Sequence, residues 1–221
     1  MRLSAKLRLL SMILHWRLTW KKRDLKYKLQ NIDNPKFMTA MEAVRLIPDG
    51  ATSFSCGMAG NARPSVWFWA IEQNFRETGH PRGLTHIIVG AQGGRGRIPG
   101  TLEEMGRLPG LITRFIAGHH ETVKAMLKLA DQGDLELHTL PQGIETLLIE
   151  AQGRGRFFIE SETGVGTFLD PRVGNGSVVV PGKGKSMAEA AGDKLRYSLP
   201  KIEVAFFIAP AADREGNIYV K

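Results

Sequence analysis

The sequence PDGATSFSCGMAGNARP, residues 48–64, decides the fold. Its first three residues, Pro-Asp-Gly, are typical of a turn. Residues 51–55 are short, partly apolar and uncharged, which predicts a buried strand. Gly57 and Gly60 allow a sharp bend and a close approach of the backbone to a ligand, and Pro64 suits the first turn of a helix. This order predicts either a ligand-binding loop at the carboxyl edge of a parallel sheet or a plain connection.

Apolar segments and helical patterns alternate along the rest of the chain. Because strands that alternate with helices form parallel sheets with right-handed connections, the pattern predicts an α/β fold: an open, mostly parallel sheet with helices on both faces. Residues 174–185, rich in glycine and lysine, are expected to form an exposed hairpin or loop. Strands are expected over residues 51–55, 84–89, 111–117, 135–140 and 203–209, and helices over residues 40–47, 65–76 and 144–151, with another ending near residue 130.

The positive charge of the chain is concentrated at its N-terminus. The formal net charge is +8, and residues 1–37 hold ten Lys and Arg against two acids, which accounts for all of it. The remaining residues are neutral overall, which excludes a basic nucleic-acid-binding surface on the folded part. No acid precedes Asp24, and the mixture of basic and apolar residues is typical of a membrane-surface helix or an organelle-targeting segment.

A second interpretation of this segment is sequence upstream of a domain that begins near Met38, where a helix start is expected. The chain is therefore divided into a basic N-terminal extension, residues 1–37, disordered or helical, and a single domain, residues 38–221. No apolar run is long enough to cross a bilayer. A cytoplasmic location is expected, with organelle targeting by the extension as the alternative.

A glycine-rich segment follows the second predicted strand. Residues 90–100 lack the Gly-Lys-Ser/Thr of a nucleotide P-loop, so that class of site is excluded. Gly93 and Gly94 are expected in a flexible loop over a pocket. Arg95 and Arg97 then lie either beside an anionic ligand or in solvent.

Cysteine and histidine give no sign of redox or metal chemistry. Cys56 is the only cysteine, so an internal disulfide is excluded. No base lies near it in sequence, which favours a small buried thiol over a nucleophile. His119 and His120 have no third ligand at a recognisable spacing, so no metal site is predicted. A neutral imidazole at the rim of the carboxyl edge is the favoured role.

Four motifs, in order, resemble the family I coenzyme A transferases, specifically their alpha half. The opening loop is similar to the family's Asp-Gly-x-x-(three apolar)-Gly-Gly-Phe-x-x-x-Gly-x-Pro, although Cys56, Met58 and Ala62 replace Gly, Phe and Gly. Ser53 and Ser55 also interrupt the apolar triplet. The other three motifs are LEL followed by PQG within residues 135–143, GVGT at residues 164–167, and Asp213 with Gly216-Asn217.

The resemblance extends from residue 39 to the end of the chain. The run GTFLDPR at residues 166–172, with Gly118-His119 upstream, is most similar to the branch in which alpha and beta halves are fused. That branch implies an acyl-CoA:carboxylate CoA-transferase of short-chain fatty acid and ketone body metabolism. The implied substrates are a coenzyme A thioester and a short carboxylic acid, with no permanently bound cofactor and no metal. A homo-oligomer of the full enzyme is also implied.

The resemblance assigns roles to particular residues. Gln142 would hold the carboxylate or acyl oxygen of the substrate, with Gly143, and the pocket would be completed by Gly57, Met58 and His119. Met58 in place of Phe softens the pocket wall, which leaves the size of the acyl chain open. Backbone donors of the glycine loops would serve the oxyanion; the residues expected on that side are Cys56, Gly60, Gly93, Gly94 and Gly166.

The family's nucleophile is expected outside this chain. In the family, a glutamate of the beta half carries the acyl group and then coenzyme A, in a Glu-Asn-Gly or Gly-x-Gly-Glu context, whereas Gly174-Asn175-Gly176 lacks the glutamate. We therefore predict an incomplete alpha-type domain, truncated at its C-terminus and inactive alone, that needs a fused or separate beta-type domain. The alternatives are an acyl-CoA hydrolase or lyase-type transferase subunit of the same fold, and a non-enzymatic sugar-phosphate-sensing module.

Overall fold

The computed structural model describes residues 3–19, 25–57, 62–94 and 98–220. Six helices and ten strands occur in these ranges. The helices are α1 (Leu3–Thr19), α2 (Ala40–Val44), α3 (Ser65–Thr78), α4 (Leu102–Met105), α5 (Lys124–Gln132) and α6 (Gln142–Gly153). The strands are β1 (Thr52–Cys56), β2 (Leu84–Val89), β3 (Ile112–Ala117), β4 (Glu136–Thr139), β5 (Phe158–Ser161), β6 (Ala188–Ala191), β7 (Lys194–Ser198), β8 (Val204–Phe206), β9 (Ala211–Ala212) and β10 (Ile218–Tyr219).

A five-stranded sheet in the order β4-β3-β2-β1-β8 forms the centre of the fold, and every pairing in it is parallel. The predicted α/β class with a mostly parallel sheet is confirmed. The second predicted strand matches β2 at both ends, because LTHIIV is apolar and β-branched and is buried from Leu84 to Ile88. Helix α4 was not predicted, since it is only four residues long.

The sheet separates two apolar cores. Residues paired between parallel neighbours point to the same face, so the face that carries His86 also carries Phe115. That face packs on α2, α3, α4 and α5, whose buried side chains form one cluster with those of the strands. The opposite face, with Ile87 and Ile116, packs on α6 and on a second, smaller sheet. Helices therefore cover both faces, as expected.

The smaller sheet is antiparallel, in the order β5-β7-β6, and was not predicted. Its buried residues Leu195 and Tyr197 belong to the same apolar cluster as α6. A two-residue turn at Gly192-Asp193, with Gly192 at φ +61°, joins β6 to β7. Gly-Asp between two short strands is a hairpin signal that the sequence did carry.

The prediction that residues 174–185 form an exposed loop is wrong at its centre. Gly176, Ser177 and Val178 are buried. The Thr139 N–H donates to the Ser177 carbonyl at 2.8 Å, and the segment forms an antiparallel bridge beside β4. The physical reason is that β4 is an edge strand, whose unpaired backbone groups need a cover.

Residues 25–37 contact the domain. Leu25 is buried in the helical core, and its carbonyl accepts from the Met41 N–H at 3.2 Å. The Lys36 ammonium donates to the Glu215 carbonyl at 3.0 Å. Helix α1 precedes this segment and exposes its apolar side chains. Within the described residues, no helix is both long and apolar enough to cross a membrane.

The cover over the β4 edge predicts a stability effect. Ser177 Oγ accepts from the Met187 N–H at 2.8 Å and is 3.0 Å from His138 Nδ1, all within the core. Ser177→Ala leaves both groups without a partner, so the free energy of unfolding should fall by about 1–3 kcal/mol in denaturant titration. The matched control is Ser198→Ala on the exposed side of β7, which should change it by less than about 0.5 kcal/mol. Equal effects of the two substitutions would contradict this account.

Candidate functional site

The carboxyl ends of the parallel strands bring four loops to one edge. The loop after β1 begins at Gly57, the loop after β2 at Gly90, and the loop after β3 at Gly118. Helix α6 begins at Gln142, three residues after β4. In open parallel sheets this edge is where ligands bind. The edge therefore collects most of the residues that the sequence singled out.

His86, in the middle of β2, anchors this edge from inside the core. Its ring is fully buried and stacks between Phe115 and Phe206, with centroid distances of 6.3 and 5.8 Å. Its Nδ1 is 2.8 Å from Ser53 Oγ, and its Nε2 is 3.1 Å from Ser55 Oγ. Burial lowers the pKa of His86 to about 3. The imidazole is therefore neutral at physiological pH.

A single ring proton sets the direction of these hydrogen bonds. The Ser55 hydroxyl donates to Gln92 Oε1 at 2.9 Å, so it can only accept from His86 Nε2. Nδ1 is then unprotonated and accepts from the Ser53 hydroxyl. The Ser53 oxygen is 2.8 Å from Nδ1 and 3.2 Å from the Thr85 carbonyl oxygen, so Nδ1 is the nearer acceptor. Both ring nitrogens thus have partners, as a fully buried imidazole requires.

Gln92 carries this network into the glycine-rich loop after β2. It is fully buried, and its amide donates to the Ser55 carbonyl at 2.9 Å and to the Val89 carbonyl at 3.2 Å. A Cβ on the next residue, Gly93, would lie 1.7 Å from the Thr122 carbonyl oxygen. The hydrogen bonds of Gln92 thus hold the loop in a position where residue 93 can only be a glycine. The described part of this loop, residues 91–94, is therefore hydrogen-bonded and closely packed against its neighbours.

The loops after β1 and β2 are joined by Arg63. Its Nη1 donates to the Gly93 carbonyl at 2.8 Å, and its Nε donates to Ser65 Oγ at 3.0 Å. The guanidinium is half-buried, and burial lowers its pKa. It forms no ion pair with any carboxylate of the described residues. Arg63 therefore supplies a cation without an internal counter-ion at the carboxyl edge.

Two other predicted glycines are also closely packed. Gly57 has φ +153°, and a Cβ there would be 2.8 Å from the Ala62 carbonyl oxygen. A Cβ on Gly94 would be 2.6 Å from Thr101 Cγ2. A side chain would therefore clash at either position, and bare backbone forms this part of the edge.

Gln142 lies at the N-terminus of α6 and against the loop after β3. It is half-buried, and a Cβ on Gly118 would be 2.7 Å from Gln142 Cγ. Gly143, the next residue, is exposed with open space around its Cα. The free backbone N–H groups of a helix N-terminus favour anions. Gln142 and Gly143 thus lie at the N-terminus of α6, with Gly143 open to solvent.

Glu145 lies in the first turn of α6 and was not predicted as a functional residue. Its side chain is fully buried, and neither carboxyl oxygen has a hydrogen-bond partner in the described residues. Burial raises the pKa of Glu145 to about 9, and the nearby Gly118 N–H opposes the shift only in part. The carboxyl is therefore protonated and neutral at physiological pH.

The two adjacent histidines have different surroundings. His119 is half-buried, and its Nε2 lies 2.8 Å from Oε1 of the exposed Glu121. His120 contacts the Ala117 carbonyl through Nε2, and burial lowers the pKa of its imidazole. His120 is thus the neutral imidazole of this rim. No group of three potential metal ligands occurs among the described residues.

Cys56 ends β1 and is half-buried. Burial raises the pKa of its thiol. A reactive cysteine needs a lowered pKa, because the thiolate is the nucleophile. The surroundings of Cys56 therefore agree with the role of a small wall residue.

A buried Ser–His–Glu set occurs away from the carboxyl edge. His138 Nε2 is 2.7 Å from Glu136 Oε1, and Nδ1 is 3.0 Å from Ser177 Oγ. Both Ser177 and His138 are fully buried, which leaves no access for a substrate. This set is structural, since it fastens the cover of the β4 edge.

Gly166 lies in the turn that follows β5. Its N–H donates to the Asp170 carboxylate at 3.0 Å, and Asp170 is paired with Arg172 at 2.7 Å. These bonds hold the pKa of Asp170 well below its usual range. No hydrogen bond or ion pair between described residues joins this turn to Gln142. Met58, Gly60, Arg95 and Arg97 lie outside the described residues.

The residues that the sequence prediction missed are His86, Gln92, Arg63 and Glu145. One signal was available, because two serines at alternate positions of an apolar strand require buried partners. The pattern could not say which residue supplies them. Arg63 and Glu145 carry no local signal, since the burial of both side chains follows from the packing around them.

Known proteins similar to this chain are CoA-transferases. The chain is 36% identical over 186 residues to caffeate CoA-transferase of Acetobacterium woodii, covering 83% of the chain and 35% of that protein. The structure of the acyl-CoA transferase YdiF of Escherichia coli O157:H7 matches with a TM-score of 0.73 at 26% identity, covering 82% of the chain and 35% of that chain. No family model matches the chain.

A more distant match shows the fold alone. Glutaconate coenzyme A-transferase of Acidaminococcus fermentans matches with a TM-score of 0.59 at 17% identity, over 82% of this chain and 58% of that one.

The chain belongs to the family I CoA-transferases and corresponds to their alpha half. It spans about a third of the length of caffeate CoA-transferase and YdiF.

Burial of His86 predicts a loss of stability in acid. The folded state keeps His86 neutral down to a pKa of about 3, whereas the unfolded state gains a proton below pH 6.5. His86 should therefore contribute a fall of about 1.4 kcal/mol per pH unit to the free energy of unfolding as the pH drops below 6.5. His86→Gln should reduce the slope of the wild-type curve by this amount, and urea titrations from pH 7 to 4.5 measure it. His15→Gln, at an exposed position, should keep the wild-type slope. Parallel curves for wild type and His86→Gln would refute the prediction.

Burial of Glu145 predicts the opposite dependence. The unfolded state ionises Glu145 above about pH 4.5, while the folded state holds it neutral up to a pKa of about 9. Stability should therefore fall as the pH rises through this window. Glu145→Gln should stabilise the protein relative to wild type by about 4 kcal/mol more at pH 8 than at pH 5. Glu150→Gln, on the exposed side of the same helix, should show no such change between the two pH values. A pH-independent effect of Glu145→Gln would mean that the acid is not neutral in the fold.

Proposed function

We propose that this chain is the substrate-side half of an acyl-CoA:carboxylate CoA-transferase for short-chain acyl groups. The observation that carries the proposal is the carboxyl edge itself. Backbone at Gly57 and Gly93 is packed too closely for a side chain, and it lies beside a cation, Arg63, that has no counter-ion among the described residues. Gln142 begins a helix at the same edge. An anionic acyl acceptor and a thioester oxygen both suit such a surface.

The similar proteins support this choice of chemistry. The names of both curated relatives, caffeate CoA-transferase and acetate CoA-transferase YdiF, describe coenzyme A transfer. One structure of the YdiF protein is described as a thioester complex with CoA. A thioester complex of a relative with this fold agrees with the proposed mechanism, in which the enzyme itself carries coenzyme A.

The proposed reaction begins with a glutamate carboxylate outside this chain. One carboxylate oxygen attacks the thioester carbonyl, the C–S bond breaks, and coenzyme A leaves as a thiolate. The other product is an acyl–glutamyl anhydride. The thiolate then attacks the glutamyl carbonyl, which releases the acyl group as a carboxylate and leaves glutamyl-CoA. The acceptor carboxylate repeats both steps in reverse. No net proton is exchanged.

The residues of this chain would bind and stabilise rather than react. The Gln142 amide would donate to a carboxylate oxygen of donor or acceptor. Backbone N–H groups of the packed glycine loops would stabilise each tetrahedral oxyanion. Arg63 would balance the negative charge of the substrate carboxylate. Cys56 would leave room for the acyl group because its side chain is small.

The beta-type half would pack on the open side of the sheet. Strand β8 is an edge strand of three residues, and the residues after it expose apolar side chains. A groove between α2 and α3 runs beside the same strand and is lined by Leu46, Val66, Trp67 and Phe206. An open edge next to an apolar surface favours association with more polypeptide.

Activity with a beta-type half tests the proposal. The 221-residue chain, co-expressed with a beta-type CoA-transferase half, should move coenzyme A from acetyl-CoA to propionate with ping-pong kinetics, and the chain alone should be inactive. Gln142→Ala should lower kcat/KM by about 100-fold, the loss typical of one oxyanion-side donor. The matched control is Gln132→Ala, an amide exposed at the end of α5, which should leave kcat/KM unchanged.

The alternatives give different results in the same assays. Sequential kinetics without a trapped glutamyl-CoA adduct would reject the transferase. Water accepting the acyl group as fast as propionate would indicate a hydrolase. Thermal stabilisation of the chain by a sugar phosphate, but not by acetyl-CoA, would indicate a sensing module.

A further inference from the structure

Glu145 is an acid on the side of α6 that packs into the core. Four residues of this helix are buried, and the other three are the apolar Ile144, Leu148 and Ala151. Neither carboxyl oxygen of Glu145 has a hydrogen-bond partner among the described residues. A buried polar group without a partner lowers stability. Packing alone therefore does not account for an acid at this position.

Glu145 lies one helical turn after Gln142. Residues three apart in a helix share a face, and helix side chains lean toward the N-terminus, so the carboxyl points toward the turn that holds Gln142. Glu145 is fully buried, whereas Gln142 is half-buried at the start of the helix. The acid therefore lies beneath the amide that α6 presents at the carboxyl edge.

The backbone of Gly118, in the loop after β3, is a neighbour of both side chains. A Cβ on Gly118 would be 2.7 Å from Gln142 Cγ and 2.6 Å from the Leu140 carbonyl oxygen, so this backbone is closely packed. The Gly118 N–H is near enough to the Glu145 carboxyl to lower its pKa in part, without the geometry of a full hydrogen bond. Gly118 thus links the buried acid to the amide.

The neutral form of Glu145 suits a role in position rather than in charge. Burial raises the pKa of the carboxyl to about 9, so it is protonated at physiological pH. A carboxylate one turn from Gln142 would repel the substrate carboxylate that this amide is proposed to hold. The neutral acid instead offers one O–H donor and one carbonyl acceptor, and it does not oppose an anion.

We propose that Glu145 is a positioning residue for Gln142. Its neutral carboxyl packs against the Gly118 backbone and fixes the distance between the loop after β3 and the first turn of α6. That distance sets where the Gln142 amide can donate. This role rests on the proposed function of Gln142, which is to hold a substrate oxygen. Glu145 is fully buried and touches no substrate, so it acts only through Gln142.

NMR of the 221-residue chain tests the contact without requiring activity. Glu145→Leu removes both polar atoms, and it should shift the Gly118 amide signal and the side-chain amide signal of Gln142. Glu145→Gln restores a neutral donor and acceptor, so its Gln142 signal should lie near that of wild type. The matched control is Glu150→Leu on the exposed side of α6, which should leave both signals in place. Equal Gln142 signals in wild type and Glu145→Leu would overturn the proposal.

Kinetics with the beta-type half separate a positioning role from a structural one. Glu145→Leu should lower kcat/KM for the acceptor carboxylate by about 10-fold, because the amide is misplaced. The free energy of unfolding at pH 8 should stay equal or rise, because an apolar side chain replaces an acid without a partner. In a Gln142→Ala background, the same substitution should lower kcat/KM by less than about 2-fold more, since both changes remove one interaction.

The control and the contrary outcomes are distinct. Glu145→Gln should recover most of the activity, and Glu150→Leu should leave kcat/KM unchanged. A 10-fold loss in both backgrounds, or a loss of activity that follows a loss of stability, would overturn the role of Glu145 and leave the transferase standing. An inactive wild-type pair would instead reject the transferase, and the NMR comparison then decides whether Glu145 positions Gln142.

Discussion

The geometry of the carboxyl edge depends on an uncharged imidazole in the middle of the parallel sheet. His86 is surrounded by aromatic rings, where a charged ring would be very costly. It is stable there because two serines of the neighbouring strand match its two nitrogens in the neutral form. Ser55, the second of these serines, also donates to Gln92 Oε1, and Gln92 fixes the glycine loop after β2. A core hydrogen-bond network therefore positions a surface loop.

Among the described residues, the same edge combines neutral buried groups with the cation Arg63. His86 and Glu145 are both titratable, and burial keeps both uncharged at physiological pH. Arg63 remains charged although it is half-buried. It lies between two loops in which Gly57 and Gly93 leave no room for a side chain. Among the described residues, a guanidinium, closely packed glycine backbone and neutral buried groups therefore lie together at this edge. The Glu145 carboxyl, which has no partner among the described residues, lowers the stability of the fold at this edge.

The two edges of the main sheet are treated differently. A loop covers β4 and is fastened through Ser177 and His138, which protects that edge from pairing with other chains. Strand β8, at the other edge, is short and lies next to exposed apolar residues. This asymmetry gives the domain one closed side and one side suited to further polypeptide.

Sequence patterns determined the parallel α/β sheet, because alternating apolar strands and helices bury their residues locally and with a regular period. They also located the loops after β1 and β2 and the Gln142 turn, since glycine and proline mark chain reversals wherever they stand. Only the tertiary structure decided that Ser53, Ser55 and Gln92 meet His86, that Glu145 has no partner in the described residues, and that residues 176–178 are buried. These facts depend on strand register and on contacts between residues 30 to 40 positions apart. No local period encodes such contacts, because they are set by how the whole chain packs.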